Sequence, residues 1–244
     1  MVTPYHAAAI VIGDEILSGK IRDTNGPFLI DTFRAMGIQL DRILTVRDEV
    51  EEIAWAVQAC RGRFSPIITS GGIGPTHDDL TVEGVARGLA RPVVLHPELE
   101  ARVRDHYGEA MPEEALRLAR VPEGASLLRT SETWFPVIAV EEIYLLPGIP
   151  KLFEAHLGVI AERYRGAPFH LRCVYLSVGE TAIASVLDRI CQKHPAVALG
   201  SYPQLAGAPY RVKLTLEAQS PEPVERALDD LLELLDAQAV LEVD

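Results

Sequence analysis

The densest run of chemistry-bearing residues is TSGGIGPTHDDLT, residues 69–81, where three glycines and a proline precede two adjacent aspartates. Gly71, Gly72 and Gly74 permit positive φ and leave no Cβ in the way of a ligand. Successive backbone N–H groups in such a turn form a nest for an anion, and a following helix N-terminus adds partial positive charge. Asp78 and Asp79 would repel that anion unless a divalent cation bridges carboxylate and phosphate oxygens. Mg²⁺ is commonly held by one or two carboxylates, with substrate phosphates completing its shell. A local alternative stands beside this one, because Thr76-x-x-Asp79 has the form of a capping box. Capping and metal binding are compatible, since they use different carboxylates.

Further acids fall near this loop if the chain folds as its pattern suggests. Asp14 and Glu15 follow the first apolar run, and Asp48 follows the second. Asp48-x-x-Glu51 is also a capping-box form, and Glu15 is either a site residue or a solvated turn residue. Asn25 is a candidate cap or ligand contact, and His77 a candidate for proton transfer or a plain surface histidine. Two familiar phosphate signatures fail. GDEILSGKI places five residues between Gly13 and Gly19 where a P-loop needs four, and Ile21 replaces the hydroxyl. GIGPTH has His77 at the third glycine position of a dinucleotide fingerprint.

The elements that must position these residues follow from periodicity. AAAIVIG (7–13) is a short continuous apolar run ending in glycine, which predicts a buried strand. A helix follows from about Asn25 to Met36, with Asp23 or Thr24 to cap it and Gly37 to stop it. IQLDRILTV (38–46) predicts a second strand, and Val50, Ile53, Ala54, Val57 and Cys60 share one helical face. SPIITS (65–70) predicts a third strand that runs into the glycine loop. The next helix is expected to start near Asp78 or Asp79, carrying Val82, Val85 and Leu89 inward. Strand–helix alternation of this kind gives an α/β domain, three layers with a mostly parallel sheet between helices. Ligands of such sheets sit beyond the carboxyl ends of the strands, which is where GDE (13–15) and the glycine loop fall.

Residues 97–120 read as one amphipathic helix, and WFPVIAV and EIYLLPG as two further strands. Pro150 suits the first turn of a helix running to about Arg165. RGAPF (165–169) reads as a linker. Beyond it the order is strand (170–178), helix (180–194), strand (196–203), strand (209–217), helix (221–237) and a short terminal strand. That β-α-β-β-α-β order predicts a second, smaller ferredoxin-like α+β domain, so the expected domains are 1–165 and 166–244.

Composition bounds the function. The 244 residues are 48% hydrophobic and 24% charged, with a formal net charge of −12. A nucleic-acid surface needs a basic face, which this balance does not offer. The N-terminal MVTPYHAAAIVIGDE has no Lys or Arg before a short apolar run, so neither a signal peptide nor a membrane span is expected. The expectation is a cytoplasmic protein with no nucleic-acid or membrane partner. Cys60, Cys173 and Cys191 are far apart and without metal-ligand spacing, which predicts buried free thiols.

Taken together, GDEILSGKIRDTN, the VRDE segment and TSGGIGPTHDDLT resemble the molybdopterin-binding domain family. That family includes CinA-type proteins, the MogA and MoaB proteins, and the N-terminal domain of eukaryotic-type FAD synthases. FPVIAVEEIYLLPGIPKL and GSYPQLAGAPYRVKLTLEA are closer to the FAD-synthase branch. The resemblance implies a domain that binds a pterin, such as molybdopterin, or an adenine dinucleotide at the glycine loop. In the CinA and FAD-synthase branches it implies a pyrophosphatase dependent on a divalent metal (Mg, Mn or Co) that splits FAD or ADP-ribose and releases AMP. The alternative it leaves open is a non-catalytic molybdopterin- or nucleotide-binding protein linked to molybdenum cofactor biosynthesis.

By motif position the family's acidic residues fall on Asp48 and Asp79, the implied metal ligands, with Glu15 and Asp78 as neighbours. Gly13, Asp14, Asn25, Ser70, Gly71, Gly72, Gly74, Pro75 and Thr76 are the implied ligand contacts. A homo-oligomer, dimer or trimer, is expected because related proteins associate. The sequence departs from typical CinA where LLRTSETWFPVIAV replaces a small-residue GTAPG segment, and where PGIPKL lacks the Glu usually found after its second proline. The first change removes a small-residue ligand contact.

Overall fold

The computed structural model describes residues 5–205 and 207–244, which fall into two compact units, one ending at Gly166 and one beginning at Ala167. The first unit opens with β1 (His6–Ile12), a one-turn helix α1 (Asp14–Leu17), α2 (Asn25–Ala35), β2 (Gln39–Val46) and α3 (Val50–Cys60). It continues through β3 (Ile67–Ser70), α4 (Thr81–Gly88), β4 (Val93–Leu95), α5 (Pro97–Tyr107), β5 (Arg120–Pro122) and β6 (Ser126–Leu128). The β7–β8 hairpin (Val137–Val140 and Ile143–Leu146) and α6 (Pro150–Ala161) complete it.

The central sheet has the order β2-β1-β3-β8-β7-β6. β2, β1, β3 and β8 run parallel, while β7 and β6 are antiparallel additions on one side. Because side chains alternate across a strand, β1 feeds both faces. Ala8, Ile10 and Ile12 join the core under α3 and α4, with Ile53, Val57, Val82 and Val85. Ala7 and Ala9 join the core under α2 and α6, with Leu29, Phe33, Phe153 and Leu157. Three layers result. The parallel strands therefore present their carboxyl ends, Ile12, Val46, Ser70 and Leu146, on one edge.

Three sequence expectations are corrected here. The helix predicted over 97–120 ends at Tyr107, where Gly108 takes φ +58°. Two 3₁₀ turns follow (Gly108–Ala110 and Glu113–Ala119), and Arg120–Pro122 pairs with β4 in a separate two-stranded sheet. The helix expected from Asp78 or Asp79 begins at Thr81, because the aspartates belong to a tight turn. The helix expected to reach Arg165 ends at Ala161 in a further 3₁₀ turn, Glu162–Tyr164.

In the second unit, β9 (His170–Leu176), α7 (Glu180–Lys193), β10 (Ala198–Pro203), β11 (Val212–Ala218), α8 (Pro221–Leu234) and β12 (Val240–Val243) follow in order. The antiparallel sheet order β10-β11-β9-β12 is the ferredoxin-like arrangement. Val174, Leu176, Leu214 and Leu216 pack against Ile183, Ile190, Leu228 and Leu231. Cys60 and Cys173 are buried as expected, whereas Cys191 is exposed. Among the described residues no helix is long and apolar enough to cross a membrane.

Candidate functional site

The glycine loop is shaped by its anchors. Gly71 and Gly72 sit at φ +104° and +65°, a region that side chains rarely adopt. A Cβ on Gly71 would collide with the Ile12 carbonyl oxygen, and one on Gly72 with the Thr81 hydroxyl. Gly71 N–H donates to Leu146 O (3.0 Å), the Thr81 hydroxyl donates to Gly71 O (2.7 Å), and Thr81 N–H donates to Gly72 O (2.9 Å). The carbonyls are thus consumed by the start of α4. The backbone N–H groups of Gly72, Ile73 and Gly74 have no hydrogen-bond partner among the described residues. Three consecutive free donors are what an anion nest requires.

Asn25 secures the floor of this edge. It is 6% exposed, and its Nδ2 donates to Ser70 Oγ (2.9 Å) and to Gly148 O (3.0 Å), tying α2 to the ends of β3 and β8. The capping work falls to Asp23, whose carboxylate accepts the N–H groups of Asn25 and Gly26. Asn25 and Ser70 are therefore framework beneath the loop.

Asp48 does not cap α3, whose N-cap is Glu49, without a side-chain cap bond. Instead its Oδ2 accepts the Asp14 N–H at 2.7 Å, joining the ends of β1 and β2. Burial pushes the Asp48 carboxyl above the usual range against that hydrogen bond, and the negative charges of Glu15, Asp14 and Asp78 push it further. Asp14 itself is held below the usual range by the Arg47 guanidinium, at 3.1 and 3.3 Å. The Glu15 side chain folds over Gly13, where a Cβ would lie 2.7 Å from its Oε1.

Asp79 accepts from the Thr76 N–H at 2.8 Å and from the Thr76 hydroxyl, so the capping-box residues close a turn rather than start a helix. Thr76, chiefly, holds the nearby Asp78 carboxyl below the usual range. His77 is almost fully exposed, 3.8 Å from an Asp78 oxygen. Among the described residues no group of three or more His, Cys, Asp or Glu is arranged to hold a metal ion.

A cavity of about 390 Å³ opens beside the loop. Gly71, Gly72, Gly74, Pro75, Asp79 and Glu15 line its polar side, which unites six of the residues the sequence singled out. Thr76 and His77 line a smaller neighbouring cavity of about 250 Å³, with Arg117 and Arg120. Gly13, Asp14, Asn25, Ser70, Asp48 and Asp78 stand outside the lining of the larger cavity. Its apolar side was not foreseen. Thr133, Trp134 and Phe135 form one wall, and Leu152 and His156 of α6 complete it. These residues belong to the LLRTSETWFPVIAV segment and its support; the paired aromatics there were the one available signal.

Residues 8–165 match the family described as a probable molybdopterin binding domain, and residues 168–244 match the FAD synthase middle domain. A probable FAD synthase of Caenorhabditis elegans is 31% identical over 258 residues, covering 94% of this chain and 50% of that protein. A protein of Archaeoglobus fulgidus is 31% identical over 227 residues, covering 93% of this chain and 96% of its own length. The chain thus spans about half of the nematode relative and nearly all of the archaeal one. Among solved structures, a CinA protein of unknown function from Thermoplasma acidophilum superposes with a TM-score of 0.61 at 30% identity, over 66% of this chain and 98% of its own.

Proposed function

The chain belongs to the molybdopterin-binding domain family, with a FAD synthase middle domain after it, and from that premise we propose that it hydrolyses the diphosphate of an FAD- or ADP-ribose-type dinucleotide. The observation that carries this reading is the row of free N–H donors at Gly72, Ile73 and Gly74, set on the cavity wall beside Glu15 and Asp79. Anion-binding donors and unneutralised carboxylates on one wall are mutually compatible when a cation accompanies the anion.

One or two carboxylates completed by ligand phosphates are the chemistry that a hard divalent cation such as Mg²⁺, Mn²⁺ or Co²⁺ takes. Asp48 stands among the negative charges of Glu15, Asp14 and Asp78, of which, among the described residues, only Asp14 has an arginine partner. Asp48 and Asp79, as the resemblance implies, are the residues to hold such an ion together with ligand phosphates. A cation held there would supply neutralisation of phosphate charge and a more nucleophilic water. The N–H groups of Gly72, Ile73 and Gly74 bind the non-bridging oxygens and stabilise charge as it grows on them. Glu15, on the cavity wall with no arginine partner among the described residues, takes a proton from the attacking water. A new P–O bond forms to that water, the bridging P–O bond breaks, and two monophosphates leave, AMP being one.

A second reading, a pterin- or nucleotide-binding protein without turnover, draws on the engagement of Asp79 by Thr76. One experiment separates the two. The protein is incubated with FAD, ADP-ribose or NAD and Mg²⁺, Mn²⁺ or Co²⁺, and AMP is followed by chromatography. AMP release from one of them supports hydrolysis; intact dinucleotide that is nonetheless bound supports the second reading.

A further inference from the structure

The wall facing the glycine loop is a segment without helix or strand, yet three side chains from two helices fix it in place. From α6, His156 is 1% exposed and places Nε2 3.0 Å from both Thr133 Oγ and Phe135 O. The Thr133 hydroxyl spends its own proton on Phe135 O, at 2.8 Å. Nε2 must therefore carry a hydrogen, since both atoms facing it are acceptors. Nδ1 is then the bare nitrogen, and it has no partner among the described residues. From α5, His106 stacks on the Trp134 indole at 3.9 Å with 5° between planes, and Arg102 donates to Trp134 O at 3.3 Å. Phe135 stands at 73° to the indole, 5.4 Å away.

Such bracing orders two large aromatic groups on a cavity wall before anything occupies it. Aromatic residues that line a preformed cavity beside polar groups are the mark of a ligand ring site, because every nucleobase-like ring has a π-face to stack. We propose that Trp134 and Phe135 are the recognition wall for a planar nitrogen heterocycle whose phosphates lie on Gly72–Gly74, and that His156 is the positioning residue that holds the wall. The inference rests on the anion-binding reading of the loop and adds the part of the ligand that selects it. Where the sequence suggested the loss of a small-residue contact, this chain offers an aromatic one.

Calorimetric titration of the full chain with AMP, FMN and inorganic pyrophosphate, all with Mg²⁺, tests this, since none of the mononucleotides has a diphosphate to cleave. Trp134 is 38% exposed, so Trp134→Leu is expected to fold. It should weaken at least one of AMP and FMN by about fivefold or more and leave pyrophosphate within about twofold, given the worth of base stacking. The nucleotide that suffers identifies the ring, adenine or isoalloxazine. His156→Leu should act in the same direction, and His156→Gln, which keeps an N–H near the Nε2 position, should restore affinity to within about twofold.

If Trp134→Leu and Phe135→Leu both leave AMP and FMN binding unchanged, or the native chain binds neither, the wall is not a ring site. If His156→Leu and His156→Gln weaken AMP and FMN equally, His156 does not act through its N–H. Should His156→Leu fail to fold, Trp134→Leu and Phe135→Leu decide the wall by themselves. Failure of pyrophosphate to bind the native chain is a different result, and it overturns the loop reading.

Discussion

The two edges of the central sheet both carry carboxylates and treat them differently. At the edge where the parallel strands begin, Glu141 accepts from Arg61 at 2.9 and 2.8 Å and from Arg91 at 2.9 Å. Its carboxyl is held below the usual range, chiefly by Arg61. Next to it, Glu142 accepts from Ser65 Oγ at 3.1 Å and from the Tyr164 hydroxyl, which is linked in turn to Tyr144. At the edge where the strands end, Asp48 is pushed up by burial and by three neighbouring acids, and the N–H groups of Gly72, Ile73 and Gly74 have no partner among the described residues. One edge is closed on itself. The other keeps N–H donors and carboxylates available, as the proposed dinucleotide diphosphate with its cation requires. A folded chain that leaves polar groups unmatched forgoes stability there, and the usual reason is a ligand.

Substitutions can break or sharpen this contrast. The largest effect is expected at Gly71→Ala, where positive φ and a collision with the Ile12 carbonyl combine. A loss of more than about 2 kcal/mol should follow, read as a collapse of the denaturant midpoint. Next, Asp48→Asn should lower the rate of dinucleotide cleavage about 100-fold or more while the protein stays folded. Glu141→Gln, at the closed edge, should leave that rate unchanged and cost up to about 1 kcal/mol at neutral pH, the scale of half-exposed ion pairs.

The two carboxylates should also differ in sign with pH. The lowered Glu141 gives stability that is present at neutral pH and lost as pH falls through its folded pKa, so Glu141→Gln is harmless in acid. The raised Asp48 gives stability that is present below about pH 4 and lost as pH rises through its folded pKa. Asp48→Asn should therefore stabilise by about 0.5 kcal/mol at pH 7 and by nothing in acid, as thermal melts at the two pH values would show. The smallest expected change is Gly158→Ala on the exposed side of α6. A Cβ meets nothing within 4 Å there, and a gain of about 0.5 kcal/mol is expected.

Where one local signal had one meaning, the sequence was legible. The continuous apolar runs of β1 and β3 are buried on both faces, and the strand-end positions of GDE and the glycine loop followed from that. Capping forms misled, because their residue types serve more than one geometry. Thr76-x-x-Asp79 closed a turn, which delayed α4 to Thr81, and Asp48 reached across to Asp14 instead of capping α3. The aromatic wall was illegible for a different reason. Its parts come from α5, residues 133–135 and α6, and nothing local marks His156, one helical position among twelve, as their support. A helix spanning 97–120 also hid the strand β5, since Gly108 and Pro112 interrupt it without breaking the apolar periodicity.

The central claim to test is that the open edge cuts a dinucleotide diphosphate. A single-turnover experiment, with the protein in excess over FAD in the presence of Mn²⁺, reads this without dependence on product release. The expected result is stoichiometric FMN and AMP from the native chain, none after chelation of the metal, and about 100-fold slower formation with Asp48→Asn. FAD that stays intact while fully bound, or cleavage at the native rate by Asp48→Asn, would contradict it.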